Sequence, residues 1–111
     1  MDHIPPAKKN LFLIKEGKLY TPPVSAGILA GITRALVLEA AAEAGVQVTE
    51  IMLFPQDLYQ ADEAFITSSL REVLPVVMAD GQSIGSGSPG PITRRLHEGY
   101  RRQVDLRSGA R

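Results

Sequence analysis

The residues with the most chemical potential lie where a loop turns into a helix. Leu29-Ala30-Gly31-Ile32-Thr33-Arg34 follows the small-residue stretch 22–27. Ile32, Leu36, Val37, Ala40, Ala41 and Ala44 then recur at helical spacing, with Arg34, Glu39 and Glu43 off that face. The spacing predicts a helix over Gly31–Ala44, closed by a glycine cap at Gly45. The first N–H groups of a helix have no partner inside it, and the dipole there favours negative charge. Gly31 lets a ligand approach and Thr33 adds a hydroxyl, so this helix start is a candidate phosphate seat. A glycine-led helix start with Thr33 as a partial cap accounts for the same residues. Local chemistry leaves both readings open.

A second candidate is Thr67-Ser68-Ser69-Leu70, three hydroxyls at the end of an apolar strand. Hydroxyls and loop N–H groups there can take phosphate oxygens or a carboxylate, although a polar strand end is the simpler reading. Gly85-Ser86-Gly87-Ser88-Pro89-Gly90 matches G-x-G-x-x-G between a strand and a helix. We reject a dinucleotide site there. No strand and acidic residue follow as a βαβ unit requires, and Pro89 and Pro91 remove N–H donors. The stretch reads as a turn that launches the last helix. Asp62-Glu63 is a carboxylate pair, but adjacent strand residues face opposite ways, which argues against joint acid–base work. His3 and His97 stand apart, so no metal site is expected.

These residues need elements to place them. Leu11–Ile14 reads as a buried strand, Glu16-Gly17 as a turn and Lys18–Thr21 as the returning strand, ended by Pro22-Pro23. Val46–Leu53 reads as a strand, Pro55–Gln60 as a short helix and Ala64–Ser68 as a further strand. The apolar run Val73–Met78 predicts a central strand, and Asp80-Gly81 a tight turn into Gln82-Ser83-Ile84. Pro91 opens the last helix, on which Leu96, Tyr100 and Val104 share one face and Arg94, Arg95, Arg101 and Arg102 point away as a solvated face. Two main helices among several strands predict a mixed α/β sheet curled into a partial barrel. Residues 1–9 are expected to be disordered or a remnant segment, 10–106 one domain, and 107–111 a frayed tail.

Composition narrows the function classes. The chain has 111 residues, 44% hydrophobic and 22% charged, which suits one globular domain. Twelve basic and twelve acidic residues cancel, so no global field argues for nucleic acid or membrane. The absence of cysteine excludes disulfides, thiolate zinc sites and cysteine nucleophiles. With no apolar run long enough to span a bilayer and no signal-like segment, a cytoplasmic location is expected.

Leu29–Arg34, preceded by Thr21-Pro22-Pro23, resembles the class IV aminotransferases. These are the fold-type IV pyridoxal-phosphate (PLP) enzymes: branched-chain aminotransferases, D-amino-acid aminotransferases and aminodeoxychorismate lyases. Asn10-Leu11-Phe12 with Gly17 resembles the family's Asn-Ile-Phe strand and turn. Ala61–Phe65, Glu72–Val76 and Gly85–Thr93 resemble its later blocks, in family order up to Tyr100. The resemblance implies the C-terminal pseudo-barrel half of the D-amino-acid aminotransferase-like fold. It implies cofactor contacts at Leu29, Gly31, Ile32, Thr33 and Ser69, with Ser69 on the cofactor phosphate. The main chain at Leu70 and Arg71 would face the substrate carboxylate. Leu70 and Arg71 are larger than the small residues usual in the branched-chain enzymes, which leans toward the lyase-type branch.

The resemblance also shows what is missing. PLP chemistry uses a lysine that forms a Schiff base and an acidic partner for the pyridine nitrogen. The family's lysine lies well before the Asn-Ile-Phe strand and has no counterpart here, and its glutamate position falls on Pro5. Lys8, Lys9, Lys15 and Lys18 do not match the catalytic position and read as surface lysines. We therefore expect no catalytic residue in this chain, only a phosphate seat for PLP, and a fragment, truncated or degenerate form that is inactive alone. The parent reaction would be amino-group transfer to a 2-oxo acid, or lyase chemistry. A non-catalytic phosphate-ligand or protein-binding module is the alternative. The amides of Ile32 and Thr33 and the hydroxyls of Thr33 and Ser69 should converge on one anion-sized space. A missing N-terminal half or a second copy should cover an exposed apolar patch around Phe12 and Val76.

Overall fold

A computed structural model gives the fold. It describes residues 10–23, 28–67 and 73–108, with side chains described except at 28–32 and 106–108. In chain order the elements are β1 (Asn10–Lys15), β2 (Lys18–Thr21), α1 (Ile28–Glu43), β3 (Val48–Glu50), α2 (Pro55–Gln60), β4 (Glu63–Thr67), β5 (Val73–Pro75), β6 (Met78–Ala79), β7 (Gln82–Ser83) and α3 (Pro91–Ser108). Five strands form one sheet in the order β3-β2-β1-β4-β5, and β6 and β7 form a separate hairpin. The β2–β3 pair is parallel and the other pairs of the sheet are antiparallel, so the expected mixed α/β architecture is present.

Strand alternation divides the core. Phe12 and Ile14 of β1, Leu19 of β2, Phe65 of β4 and Val73 of β5 join Leu36, Val37, Ala40 and Ala41 of α1 and Leu96 and Tyr100 of α3 in one buried cluster. Phe12 and Phe65 are cross-strand partners and stack with ring centroids 4.8 Å apart. Such a pair adds about 0.5–1.5 kcal/mol beyond the area it buries. The opposite face carries Leu13 and Ala64, packed with Leu53, Ala61 and Ile84. α1 lies along α3, joined near its end by a hydrogen bond from Gln103 Nε2 to Glu43 Oε2 at 2.8 Å.

Several sequence expectations change. The helix begins at Ile28, not at Gly31, so Gly31 lies inside its first turn. Leu29 and Ala30 are good helix formers and carry the helix back across a glycine that costs about 1 kcal/mol relative to alanine. The far end is as expected. Gly45 takes φ of 75°, its N–H donates to Ala42 O at 3.1 Å, and Val46 N–H donates to Ala41 O at 2.9 Å. These paired bonds satisfy carbonyls that the helix leaves open.

Val46–Leu53 yields only the three-residue β3, on an edge of the sheet. The run Val73–Met78 is not a central strand: β5 holds Val73–Pro75 at the other edge, and Met78 belongs to the hairpin. Pro75 lacks an N–H and suits an edge, and β1 is the central strand. Phe12 is fully buried and cannot join an exposed patch. Among the described residues, the large exposed apolar ones are instead Ile51, Met52, Phe54, Leu74 and Met78. On α3, Arg94, Arg95, Arg101 and Arg102 are exposed as expected.

The Tyr59 hydroxyl on α2 donates to the Asp80 carboxylate in the turn of the β6–β7 hairpin. That hydrogen bond, then desolvation, then the Asp80 charge raise the Tyr59 pKa above the ordinary 10.0. A raised pKa in the folded state means that the contact stabilises fully below the unfolded value and is lost as pH rises through the folded one. We expect thermal stability to fall above pH 10.0 more steeply in the native chain than in Tyr59→Phe. Parallel alkaline profiles for the two would contradict this.

Candidate functional site

Two residues of the candidate stretches, Thr33 and Thr67, fall on the helix-covered side of the sheet. Thr33 sits on the buried stripe of α1, in line with Val37 and Ala40, and is 5% exposed. Thr67 ends β4 on the same side as Phe65, by the two-residue alternation of a strand. It is 1% exposed, and its Oγ1 has no hydrogen-bond partner among the described residues. Leaving a buried hydroxyl unpaired costs about 1–3 kcal/mol, so this oxygen is a ready contact for a polar ligand or water. Leu29, Gly31 and Ile32 lie in the first turns of α1, where only the main chain is described. Ser69, Leu70 and Arg71 lie outside the described residues, as does Pro5.

The early start of α1 bears on the phosphate seat. With Ile28 as its first residue, the N–H groups of Ile32 and Thr33 come one turn in, where an α-helix bonds each to the carbonyl four residues back. The open donors belong to the first turn instead.

Arg34, which the helical spacing puts off the buried face, is only 6% exposed. Its Nη2 donates to Pro22 O at 3.2 Å and to Glu50 Oε2 at 2.6 Å, while its buried Nε has no partner among the described residues. Glu50 is about half exposed and lies beside Thr21 in the β2–β3 register. Thr21 is fully buried and donates from Oγ1 to Leu11 O at 2.8 Å. The exit of β2 is thus held from both sides.

The carboxylate pair separates as expected. Asp62 is exposed, accepts the Glu16 N–H at 2.8 Å and lies 3.8 Å from Lys15 Nζ. Glu63 is buried and accepts the main-chain N–H groups of Thr93 at 2.7 Å and Ile92 at 3.3 Å. It therefore supplies the start of α3 with the acceptor and negative charge that Gly90, having no side chain, cannot. Sequence reasoning missed this role. The signal was a helix opening on Gly-Pro with no capping side chain of its own.

On the other side of the sheet, Leu13, Lys15, Tyr20, Ile51, Met52 and Asp57 help line a mostly apolar cleft of about 220 Å³. Lys15 donates there to Gln60 O at 3.0 Å. Lys18 lies on the exposed end of β2, in the alternation of Tyr20. The described lysines thus project away from Thr33 and Thr67. Among the described residues there is no group of metal-ligating side chains and no helix long and apolar enough to cross a membrane.

Residues 7–78 match the amino-transferase class IV family. The chain is similar to the branched-chain-amino-acid aminotransferase of Escherichia coli K12, 40% identical over 94 residues that make up 85% of this chain and 30% of that protein. It is also similar to the D-alanine aminotransferase of Bacillus licheniformis, 42% identical over 95 residues, 86% of this chain and 34% of that one. Its fold superposes on the crystal structure of the branched-chain amino acid aminotransferase from Thermobaculum terrenum in its PLP form at a TM-score of 0.77 and 39% identity, covering 86% of this chain and 32% of that one. The chain spans about a third of the length of these relatives. A match over most of the described sheet and α1, joined to a shared fold, places one conclusion beyond the phosphate question: this chain belongs to the class IV aminotransferase family.

Proposed function

We propose that this chain is the cofactor-phosphate-holding, C-terminal part of a class IV aminotransferase-like protein, and that these 111 residues do not turn over alone. The observation that carries the reading is the burial of Thr33 and Thr67 on one side of the sheet, with the Thr67 hydroxyl unpartnered among the described residues. The open Thr67 hydroxyl can donate to a phosphate oxygen. The resemblance adds the Ser69 hydroxyl to the phosphate contacts, and by the same resemblance Leu70 and Arg71 would meet a substrate carboxylate through their main chain. For Ile32 and Thr33 to offer their amides, the first turn of α1 opens at Gly31, where a glycine holds the helix weakly. The resemblance adds Leu29 to the cofactor contacts.

PLP, when bound with a lysine and an acidic ring partner, acts as an electron sink for bonds at the amino-acid α-carbon. The residues here fit only its phosphate end. Lys15 and Lys18 project to the other side of the sheet, Lys8 and Lys9 lie outside the described residues, and none of the four matches the family's catalytic position, so we take attachment to need a lysine from elsewhere. The chain's own part is to bind and orient the anion. By itself it holds PLP or a simpler phosphate ligand reversibly, which keeps a phosphate-binding module as the second reading. In a longer protein the substrate would be an amino acid and a 2-oxo acid, or aminodeoxychorismate.

Phosphorus NMR titration with inorganic phosphate and with PLP tests the seat. Thr33→Val keeps the shape of the side chain and removes its hydroxyl, and we expect it to weaken both ligands by roughly tenfold. Equal affinity in the two proteins, or no binding by the native chain, would refute the seat.

A further inference from the structure

We propose that Arg34 is a positioning residue: its buried guanidinium, held by Glu50, sets the start of α1 against the sheet and so tunes the affinity of the phosphate seat. The inference rests on the seat proposed above and assigns a role to two residues outside it.

The geometry supports this. Pro22 lies on the segment that leads from β2 into α1, and Glu50 closes β3. One nitrogen of Arg34, in the second turn of α1, reaches both, at 3.2 Å and 2.6 Å. The contact with Pro22 closes a ring of chain between residues 22 and 34, inside which the start of α1 lies. The contact with Glu50 ties that ring to the parallel β2–β3 pair. Thr21, beside Glu50, is itself fixed by its bond to Leu11 of the central strand. Thr33 precedes Arg34, so its placement follows the same anchor.

Electrostatics gives a reason for the pairing. A buried cation is unfavourable unless it is paired. Arg34 has 8% of its side chain exposed, whereas Glu50 has 51%. The carboxylate therefore offsets the charge from the wet side and leaves the guanidinium as a rigid peg. Both contacts need only one nitrogen, so the planar fork is not fully used. A lysine that reaches Glu50 should keep much of the effect.

The test measures inorganic phosphate affinity by phosphorus NMR in the full chain, with thermal melting alongside. Arg34→Ala and Glu50→Ala are each expected to weaken phosphate by roughly tenfold. Arg34→Lys should recover at least half of the lost affinity on a logarithmic scale. Val104→Ala, on α3 away from these contacts, is the control: it should lower thermal stability and leave phosphate affinity unchanged. Should Arg34→Ala fail to fold, Glu50→Ala carries the test, because that side chain is half exposed. Native binding with unchanged affinity in the Glu50 and Arg34 variants would overturn the positioning role and leave the seat standing. Loss of affinity in the Val104→Ala control, in step with stability, would also overturn it. No phosphate binding by the native chain would remove the seat and this inference together.

Discussion

Gly85→Ala is expected to destabilise the fold by about 3 kcal/mol or more, among the largest effects of a single methyl. Gly85 follows the β6–β7 hairpin with φ of 58°, and a Cβ there would lie 1.9 Å from the main-chain oxygen of Asp62. Positive φ strains any side chain, and a backbone obstacle has no rotamer to yield. Asp62 is also tied down, its N–H donating to Ile14 O at 2.8 Å and its carboxylate accepting from Glu16. Gly90 makes a useful contrast. A Cβ there would lie 2.0 Å from the Glu63 carboxyl carbon, which belongs to a side chain. Gly90→Ala should therefore cost less in a Glu63→Ala background than in the native chain, a coupling that a double-mutant cycle reads directly. Urea unfolding of the set decides it. A Gly85→Ala change below about 0.5 kcal/mol, or additive costs at positions 63 and 90, would show that these close approaches are absent.

Those approaches also explain what the sequence could and could not reveal. Local chemistry was legible: Glu16-Gly17, Asp80-Gly81, the Gly45 cap and the Pro91 start each declare themselves within a few residues. The Leu96, Tyr100 and Val104 face of α3 was legible for the same reason, because helical period survives without knowledge of partners. The resemblance blocks gave the mixed α/β fold, and the family match bears out that part. Contacts between distant residues were not legible. Arg34 looked like a surface residue because its partners stand 12 and 16 positions away. Glu63 looked like half of a carboxylate pair because the amides it caps lie 29 and 30 positions on. Phe12 looked exposable because a strand pattern does not say which face two helices will cover. Val73–Met78 read as one central strand because a short apolar run has the same appearance at the centre and at an edge that turns into a hairpin. Ser69, Leu70 and Arg71 lie outside the described residues, so the phosphate contact of Ser69 and the carboxylate contacts of Leu70 and Arg71 rest on the resemblance alone.

The second large expected effect is that the chain alone gives no turnover. The described lysines lie away from Thr33 and Thr67, and Pro5 stands where the family resemblance puts the acidic ring partner. On the reading proposed above, phosphate contacts alone would leave the aldehyde carbon of PLP unattached and the ring nitrogen without a fixed carboxylate, and the α-carbon chemistry would lack support. The aminotransferases it is similar to are about three times as long as this chain, and their length beyond the match has room for both groups.

The direct measurement is to incubate the 111-residue chain with PLP, reduce with borohydride and map modified lysines by mass spectrometry. Amino-group transfer is then assayed with several amino acids, with and without a lysine-bearing N-terminal half from a relative. The account predicts scattered, substoichiometric modification and no transfer by the chain alone, with transfer appearing only when the added half is present. One stoichiometric lysine adduct together with turnover by the isolated chain would contradict it.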